Sequence, residues 1–549
     1  MPKLKEYPII FRDFAVDLLK GDFNKSSIKL KSACISLLDK ALSSDSSIRY
    51  AIWKINNYNK SINPIENSPT KFAIIYFFED SFNKTDFNKL KNTLNKQVYK
   101  NYEIFINNEN LIDKILEKNC THICFVEQKD VISSFALSSI VTLINKNPEY
   151  DVIYSDDDII NLLGIRVKPY FKPEYSPLLL LSHNYFNGLL TIKINDILIN
   201  ELRNFKITNQ EIYKLVLKLT RQVLKIKRVP DILYHKHFSN HNRSKNISTI
   251  NIVQNELKER DLNAKVLDYK QKNYNLIKFY PENQPLISII IPFKDKVSYL
   301  KQCINSIESK STYKNYELIL VNNRSNEPET LNYLEKTKYR VLNANIDFNF
   351  SKLNNMAAET ANGEYLLLLN NDTEVITPDW LESMLGLSQL PQIGAVGPKL
   401  LYPNNKIQHV GIITRKRGTN HINSLMDCKK SGYKNYNDLP RECSCLSGAC
   451  IMISKNKYEE VGGLTEELAV EWNDIDFSLK LINKGYYNAF CPPSALYHYE
   501  KVSRRGKHKN SLNQEIKYFL DNWEQVLPED PFHNPNFSGK KTGFAIRID

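Results

Sequence analysis

Three polar segments combine residue types that could carry chemistry, and each lies beside an apolar run. The run EYLLLLNNDTEVI at 364–376 ends in polar residues that include Asp372. If its apolar part is a strand of a parallel sheet, these groups emerge at the carboxyl edge, where open α/β sheets bind ligands. Oxygen-rich strand ends suit Mg²⁺ or Mn²⁺ held partly by phosphates. Asp372 is therefore a candidate metal ligand, the alternative being a turn with an Asx cap.

The second segment, EWNDIDFSLKLINKG at 471–485, places Asp474 and Asp476 at the start of a helical pattern. Carboxylates in a first turn stabilise the helix N-terminus, which accounts for Asp476. Asp474 could instead face a cleft as a general base for a hydroxyl nucleophile. The third segment contains His498 after the apolar ALY. A lone histidine there is typical of a packed core, so only the accompanying acids favour a ligand role.

The elements that must position these residues alternate between strand-like and helix-like patterns. An apolar run at 287–293 precedes a helical stretch at 299–310, and another strand-like run follows at 316–322. This alternation predicts an α/β fold with a mainly parallel sheet.

The chain also contains an internal repeat. FAIIYFFED at 72–80 matches ISIIIPFKD at 287–295, and PDILYH at 230–235 matches PSALYH at 493–498. Further matching segments occur in the same order in both copies, which predicts two duplicated domains. Aligning the VI dipeptides of the two copies puts Gln128 opposite Asp372, so the first copy is predicted to lack the metal acid.

Five segments follow from this organisation. They are a helical segment at 1–69, a degenerate first copy at 70–240, a bridging helix with short strands at 241–284, the chemically equipped copy at 285–525 and a tail at 526–549.

The composition fits a large folded protein. The 549 residues are 42% hydrophobic and only 25% charged, unlike a disordered chain. No apolar run approaches the roughly 20 residues needed to span a bilayer, and the start lacks a secretory pattern. Nine scattered cysteines do not form a disulfide framework. A cytoplasmic protein is expected.

The net charge of +13 admits nucleic acid, an anionic membrane or phosphate-bearing small molecules as partners. The basic residues are diffuse and lack interleaved aromatics, so nucleic-acid binding is not expected. Peripheral contact with the inner membrane stays open.

Taken together, these motifs resemble the family-two inverting glycosyltransferases, most closely the bacterial cell-surface polysaccharide branch of O-antigen or rhamnan type, with two tandem A-type domains. The resemblance covers roughly residues 70–540. The segments that carry it include SIIIPFKD, NFSKLNNMAAETANGEYLLLLNNDTEVITPDWLE, IGAVGPKLLYPNNKIQHVG, EWNDIDFSLKL and ALYHYEKVSRRG, with VIYSDDDI and VPDILYH in the first copy.

The resemblance implies roles for the three candidate residues. Asp372 would be the metal-binding acid, His498 a second metal or pyrophosphate-side ligand, and Asp474 the catalytic base. A bound Mn²⁺ or Mg²⁺ would offset the negative charge that grows on the departing nucleoside diphosphate.

The resemblance also implies contacts with the nucleotide-sugar donor. Pro292 and Asp295 would border the nucleoside, and Asn322 stands where many relatives have an aspartate for the base. Donor contacts are likewise expected from Ser351 and Asn354 at the start of a helix and from Asn371 at the strand end. Ser503 and Arg504 would lie in a loop over the pyrophosphate. The alternative for Ser351 is an N-cap.

The expected activity is therefore an inverting, metal-dependent transfer of a sugar to a glycan, lipid-linked or protein-linked acceptor. In the first copy, Ile212 or Glu211 aligns with Asp474. That copy is expected to hold the acceptor or an oligomer interface. A two-site polymerase would require Glu127 or Asp130 with Glu211 as a second site, and a non-catalytic carbohydrate-binding scaffold is the remaining alternative.

Overall fold

The computed structural model describes residues 47–57, 68–106, 110–203, 205–222, 224–246, 248–415, 418–500, 509–538 and 543–548. The helices predicted before residue 47 lie outside these residues. The first described element is helix α1, Ser47–Asn57, whose Tyr50 and Trp53 are buried. The Trp53 ring packs 5.2 Å from that of Phe171, so this short helix is anchored on the body that follows.

The first sheet has eight strands, and the first three along the chain are parallel because helices connect them. Its strands are β1 (Phe72–Phe77), β2 (Tyr102–Ile106), β3 (His122–Glu127), β4 (Val131–Ile132), β5 (Val152–Ile160), β6 (Arg166–Tyr170), β7 (Thr191–Lys193) and β8 (Ile226–His237).

Helices connect these strands and cover the sheet. They are α2 (Lys84–Asn95), α3 (Leu111–Glu117), α4 (Ala136–Lys146), α5 (Pro177–Ser182), α6 (Asp196–Leu202) and α7 (Asn209–Leu219). The chain then forms α8 (Phe238–Asn246), α9 (Ile250–Glu259) and an antiparallel pair of strands, β9 (Ala264–Leu267) and β10 (Leu276–Phe279).

The second sheet has ten strands, and β11 and β14 within it are buried almost throughout, as continuous apolar runs in parallel sheets are. Its strands are β11 (Ile287–Phe293), β12 (Tyr316–Asn322), β13 (Arg340–Asn343), β14 (Tyr365–Leu369), β15 (Thr373–Val375), β16 (Ile393–Leu401), β17 (Ile407–His409), β20 (Arg441–Cys443), β21 (Cys450–Ser454) and β22 (Tyr487–His498). A separate pair comprises β18 (Ile412–Arg415) and β19 (Gly418–His421).

The helices of this half include one that the sequence predicts over 299–310. They are α10 (Val297–Lys310), α11 (Pro328–Lys336), α12 (Phe350–Thr360), α13 (Trp380–Ser388), α14 (Lys455–Glu460), α15 (Asn473–Asn483) and α16 (Lys509–Trp523), with a 3₁₀ turn at Tyr433–Asn435. No helix in the described ranges combines the length and apolar character needed to cross a membrane.

The two sheets share one strand order. The first runs β2-β1-β3-β7-β5-β8-β4, with β6 on β5. The second runs β12-β11-β14-β21-β16-β22-β15, with β17 on β16, and it has two further strands, β13 beyond β12 and β20 on β22. Each corresponding pair is parallel or antiparallel in the same way. The α/β fold class is thus confirmed, and the repeated motifs fall on equivalent strands.

The two halves are joined by buried contacts. Glu442 of β20 accepts a hydrogen bond from Leu178 N of α5 (2.9 Å) and contacts the hydroxyl of Ser176. Asn534 donates to Asp156 of β5 (2.8 Å) from the chain that follows α16. A single hydrophobic cluster includes side chains of both sheets. The two halves therefore share a hydrophobic core and are not held together by the connecting chain alone.

Candidate active site

The polar ends of the second sheet meet at β14, β15 and β22. Residues 370–372 connect β14 directly to β15, so the short turn leaves the sheet at the carboxyl end of a parallel strand. Strand β15 then pairs antiparallel with β22, which sets Thr373 opposite His498. This pairing brings Asp372 and His498 together.

The imidazole of His498 lies between two polar groups on opposite sides. Its Nε2 is 3.2 Å from Oδ1 of Asp372 and 3.3 Å from Nδ2 of Asn370. Its Nδ1 is 2.7 Å from Oε1 of Gln408, which can only accept a hydrogen bond. Gln408 therefore fixes the proton on Nδ1 and leaves the Nε2 lone pair directed towards Asp372. The side chains of His498 and Asp372 are 10% and 13% exposed, so a small ligand can reach them.

These groups fit a divalent cation. An octahedral ion with bond lengths of about 2.1 Å has neighbouring ligands about 3 Å apart, which is close to the Asp372–His498 separation. With its proton on Nδ1, a neutral His498 would offer its Nε2 lone pair to a cation held beside Asp372. Within the described residues, no group of three or more His, Cys, Asp or Glu side chains could hold an ion. Two protein ligands completed by phosphates and water are typical of Mg²⁺ sites.

Asp474 lies in the first turn of α15, as the sequence predicts. Its Oδ2 accepts a hydrogen bond from Gly448 N (2.8 Å) and its Oδ1 one from Ile475 N (2.9 Å). A Cβ at position 448 would lie 3.2 Å from the Cβ of Asp474, so glycine permits this approach. Burial raises the pKa of Asp474, and these amides together with nearby His421 partly oppose the rise. A carboxylate with a raised pKa suits a general base.

His421 connects the base to the Asp372–His498 pair. It lies at the end of β19 and interacts electrostatically with Asp474, Glu500 and His498. Burial lowers the pKa of His421, which keeps its imidazole neutral, and its Nδ1 has no hydrogen-bond partner in the described part of the chain. His421 is thus electrostatically coupled both to the candidate base and to His498.

Asp476 differs from Asp474 although only one residue separates them. It is buried, and its carboxylate accepts hydrogen bonds from Thr465 Oγ1 (2.6 Å) and Trp523 Nε1 (2.8 Å). Because both oxygens are occupied, Asp476 anchors α15 to α16 and to the preceding loop.

The residues expected beside the nucleoside lie at the ends of β11 and β12. Pro292 is buried within β11, opposite Val321. Asp295 Oδ1 accepts hydrogen bonds from the amides of residues 326 (2.7 Å) and 327 (2.9 Å). Asn322 accepts one from Ser325 N (3.1 Å). Both side chains thus fix the loop after β12, and their contact with a nucleoside stays a prediction.

The residues expected beside the diphosphate have mixed surroundings. Ser351 and Asn354 are completely buried on α12, where Ser351 donates to Leu468 O (2.7 Å) and Asn354 to Phe350 O (2.8 Å). The N-cap of α12 is Asn349, so the capping alternative for Ser351 is wrong. Asn371 is half-buried beside Asp372. The predictions for Ser503 and Arg504 lie outside the described residues.

The first sheet corrects the sequence alignment of the two copies. Strand β4 pairs with β8 so that Val131 lies opposite His235, just as Thr373 lies opposite His498. Asp130, and not Gln128, therefore occupies the position of Asp372.

Asp130 has no open coordination site. It is 2% exposed and accepts hydrogen bonds from Tyr234 Oη (2.8 Å), His237 N (2.7 Å) and Asn240 Nδ2 (2.9 Å). Burial, followed by the charge of Glu127, raises its pKa well above the usual range. His235 contacts Ser133 Oγ (3.0 Å) through Nε2 instead of facing the acid.

In the first half, the position that corresponds to the candidate base Asp474 is also occupied by a different residue. Helices α7 and α15 both have 11 residues, and the second residue is Gln210 in α7 where α15 has Asp474. Glu211 is paired with Lys214 (2.5 Å), and Ile212 is buried. None of the three offers a free carboxylate.

Sequence reasoning missed Asn370, Gln408, His421 and Gly448. Gln408 lies in IQHVG and Gly448 in the core-strand segment SGACIMIS. A glutamine or a glycine does not by itself indicate a functional site. The roles of Gln408 and Gly448 depend on the strand pairings that bring them to His498 and Asp474.

Comparisons with known proteins show what this chain is similar to. Residues 288–462 match the family Glycosyl transferase family 2. The uncharacterized protein y4gI of Sinorhizobium fredii is 31% identical over 455 residues, covering 77% of this chain and 49% of that protein. The O-antigen biosynthesis protein RfbC of Myxococcus xanthus is 28% identical over 437 residues, covering 77% of this chain and 34% of that protein. The chain thus spans about half and about a third of these relatives.

Solved structures are similar to part of this chain at low TM-scores. GalNAc-T7 with UDP, GalNAc and Mn²⁺ has a TM-score of 0.38 at 17% identity, covering 47% of this chain and 52% of that one. The mannosyltransferase PcManGT of Pyrobaculum calidifontis with GDP-Man and Mn²⁺ has a TM-score of 0.31 at 14% identity, covering 44% and 71%. The family match includes the turn of Asp372 and ends before Asp474. Within this chain, residues 288–462 are thus similar to Glycosyl transferase family 2.

Proposed function

We propose that the second half of this chain transfers a sugar from a nucleotide-sugar donor to a hydroxyl of a bacterial glycan, lipid-linked or protein-linked acceptor, with inversion at the anomeric carbon. The observation that carries the proposal is the Asp372–His498 pair at the sheet edge, whose Nε2 and Oδ1 atoms are 3.2 Å apart. A family 2 domain over residues 288–462 supports it.

In the proposed reaction, the acceptor oxygen attacks the anomeric carbon and forms the new glycosidic bond. The bond from that carbon to the diphosphate breaks, and its electron pair leaves with the nucleoside diphosphate. The hydroxyl proton goes to the carboxylate of Asp474, which Gly448 N orients. One displacement without a covalent enzyme intermediate gives inversion.

Asp372 and His498 are the residues that would hold the divalent cation. The bound cation would act as a Lewis acid that stabilises the charge of the departing diphosphate. Gln408 Oε1 accepts the hydrogen bond of His498 Nδ1, which positions the ring and directs Nε2 towards Asp372. Such partners set the orientation and basicity of a metal-binding histidine.

The polymerase alternative gains no support from the first sheet, because Asp130 is enclosed by protein donors. We propose that the first half does not transfer sugar.

The experiment that tests the function is a panel of nucleotide sugars. The purified protein should be stabilised against heat by one donor in the presence of Mn²⁺, and it should slowly hydrolyse that donor. Asp474→Asn should keep the stabilisation and lose the hydrolysis. Asp261→Asn is a matched control, because Asp261 is exposed and belongs to the chain segment that connects the first sheet to the second. No stabilisation by any donor would refute the proposal.

We also propose that the basic surface holds the protein at an anionic membrane during catalysis. The net charge is +13, and a lysine near such a surface contributes about 1 kcal/mol. The protein should float with anionic liposomes at low salt and be released at high salt. Failure to float at low salt would refute this location.

A further inference from the structure

A cavity of about 300 Å³ lies beside the first sheet, outside the candidate active site. Strands β5 and β6 and the start of α7 line one side, and residues 271–274 line another. The turn at 434–435, which belongs to the second half, completes the wall. The exposed side chain of Lys168 contributes to the lining, so the cavity reaches solvent.

The cavity is predominantly positive. Three lysines line it, Lys168, Lys236 and Lys434, with a single aspartate, Asp157. Beneath them, the completely buried Lys172 contacts Asp157 Oδ2 (2.7 Å), as does Lys236 (3.1 Å). The one negative charge is thus already matched by a lysine that does not line the cavity.

The lining also contains two histidines, His183 and His241. Burial, together with the nearby lysines Lys434 and Lys236, lowers the pKa of His183 to about 3, so its ring is neutral at physiological pH. His241 also lines the cavity and has interactions of its own. The excess positive charge therefore comes from the lysines.

The remaining lining consists largely of aromatic rings and carboxamides. The ring of Tyr274 is stacked on that of His183 at 4.2 Å. The Oδ1 atoms of Asn184 and Asn273 are shielded from water and have no hydrogen-bond partner within the described structure. A buried oxygen without a partner is unfavourable, so a ligand that brings a hydroxyl donor to either amide would be stabilised by the new hydrogen bond.

The wall from the second half is held rigidly. Tyr433 Oη accepts a hydrogen bond from Phe171 N (2.9 Å), and Lys434 Nζ lies 4.2 Å from the centre of the Tyr170 ring. Lys168, Lys434 and Asn435 adopt left-handed backbone conformations, with φ of 50°, 48° and 62°. Such conformations cost about 1 kcal/mol or more each and cluster at ligand sites.

We propose that this cavity binds a sugar residue carrying an anionic group, either a carboxylate or a phosphate. Lys168 and Lys434 bind the anion, the carboxamides accept hydrogen bonds from ring hydroxyls, and Tyr170 and Tyr274 supply apolar surface for the ring. Because both halves form the wall, a bound ligand strengthens their association. Binding here requires neither Asp474 nor a nucleotide-sugar donor, so it goes beyond the proposed transfer.

Calorimetric titration of the full chain tests the inference. The probes are glucuronate, glucose 1-phosphate, neutral glucose and inorganic phosphate. At least one of the two anionic sugars should bind about tenfold or more tightly than both glucose and phosphate, and the tighter of the two identifies the anionic group. Equal binding of inorganic phosphate, or no binding of either anionic sugar, would overturn the proposal.

Three variants locate the site. Lys168→Gln and Lys434→Gln should each weaken binding of the preferred sugar by about tenfold, the loss expected for a charged hydrogen bond. Lys96→Gln is the matched control, because Lys96 is exposed at the end of α2 and lies outside the cavity lining. Lys168 is exposed, so its substitution tests the site even if Lys434→Gln unfolds. Unchanged affinity of Lys168→Gln would overturn the proposed site.

The inference can be separated from the proposed function. Asp474→Asn should bind the anionic sugar as tightly as the unaltered protein, whatever happens to transfer. Loss of anionic-sugar binding in that variant would place the ligand at the transferase site and overturn the second site.

Discussion

His498 Nε2 and Asp372 Oδ1 are held 3.2 Å apart by the antiparallel pairing of β15 with β22. The carboxylate comes from the turn after the parallel strand β14, and the imidazole comes from the last residue of the 12-residue strand β22. Because their separation depends on backbone register, the site is formed by the sheet before any ligand arrives. A preformed pair of donors at a sheet edge is the arrangement that a metal-assisted transferase requires.

Asp372→Asn should remove the dependence of donor binding on a divalent cation. The amide preserves the shape but loses the negative charge that holds the ion, so we expect turnover to fall by about 10²-fold or more. Calorimetry with the donor, in Mn²⁺ and in EDTA, measures the effect. If the unaltered protein binds and turns over its donor equally well in EDTA, the metal role of Asp372 is wrong.

Gln408→Met should weaken binding of the cation, although Gln408 would not itself contact the ion. Methionine has similar length, but its sulfur is only a weak acceptor for His498 Nδ1, so the preference for the proton on Nδ1 is weakened. We expect the Kd for Mn²⁺ to rise about tenfold, within the range seen when such partners are lost. Titration of Mn²⁺ by electron paramagnetic resonance reports this directly. An unchanged Kd would show that Gln408 has only a packing role.

Asp474→Asn should separate donor binding from transfer. The expected loss of rate is about 10²–10⁴-fold, which is typical of removing a general base. Burial raises the pKa of Asp474, so the rate of the unaltered protein should increase with pH as the carboxyl ionises, at a pH above the usual carboxyl range. The variant should lack this rising limb. A rate profile that keeps it would assign the base to another group.

Much of this arrangement follows from sequence patterns, but the strand register does not. Apolar runs predict β11 and β14, and an amphipathic pattern predicts α10, because burial imposes a period on the sequence. Strands β4 and β15 have two and three residues, too few to show any period. Their register is set by pairing with β8 and β22, which is why matching the VI dipeptides chose Gln128 instead of Asp130.

The site residues likewise fall into those that sequence motifs indicate and those that only the tertiary structure reveals. Asp372, Asp474 and His498 belong to motifs whose polar types are unusual beside apolar runs. Gln408 and Gly448 act only through partners distant in the chain. Ser351 and Asn354 have the polar types expected of a donor site, yet α12 packs them inwards against backbone carbonyls. Residue type therefore predicts the chemistry available, and tertiary packing selects which groups are accessible.

Changing Glu127, Asp130 and Glu211 together to amides should leave sugar transfer within about twofold of the unaltered protein, as for surface or supporting changes outside a site. The neutral amide resembles the form that burial already favours for Asp130. Product analysis with each accepted donor is the measurement. If the triple variant loses one of two donor activities that Asp474→Asn retains, the first half is a second transferase and the chain is a polymerase.

Glu442→Gln should make the stability of the protein less sensitive to pH. Glu442 connects the halves through Leu178 N, and burial raises its pKa to about 7, against about 4.3 in an unfolded chain. Between these values the folded state holds a proton that the unfolded state releases. The stability that this proton provides is therefore complete below about pH 4 and is lost as the pH rises through 7, by roughly 1.4 kcal/mol per pH unit.

Glutamine keeps an acceptor for Leu178 N but cannot ionise, so the melting temperature of the variant should fall less between pH 5 and 7 than that of the unaltered protein. Asp156 has its pKa raised to about 7 in the same way, with burial as the main cause. Asp156→Asn is therefore the matched comparison, and each single change should remove only part of the slope. Thermal unfolding at half-unit pH steps measures both. A Glu442→Gln slope equal to that of the unaltered protein would mean that this carboxyl is ionised throughout the range and that the halves are joined by a buried charge.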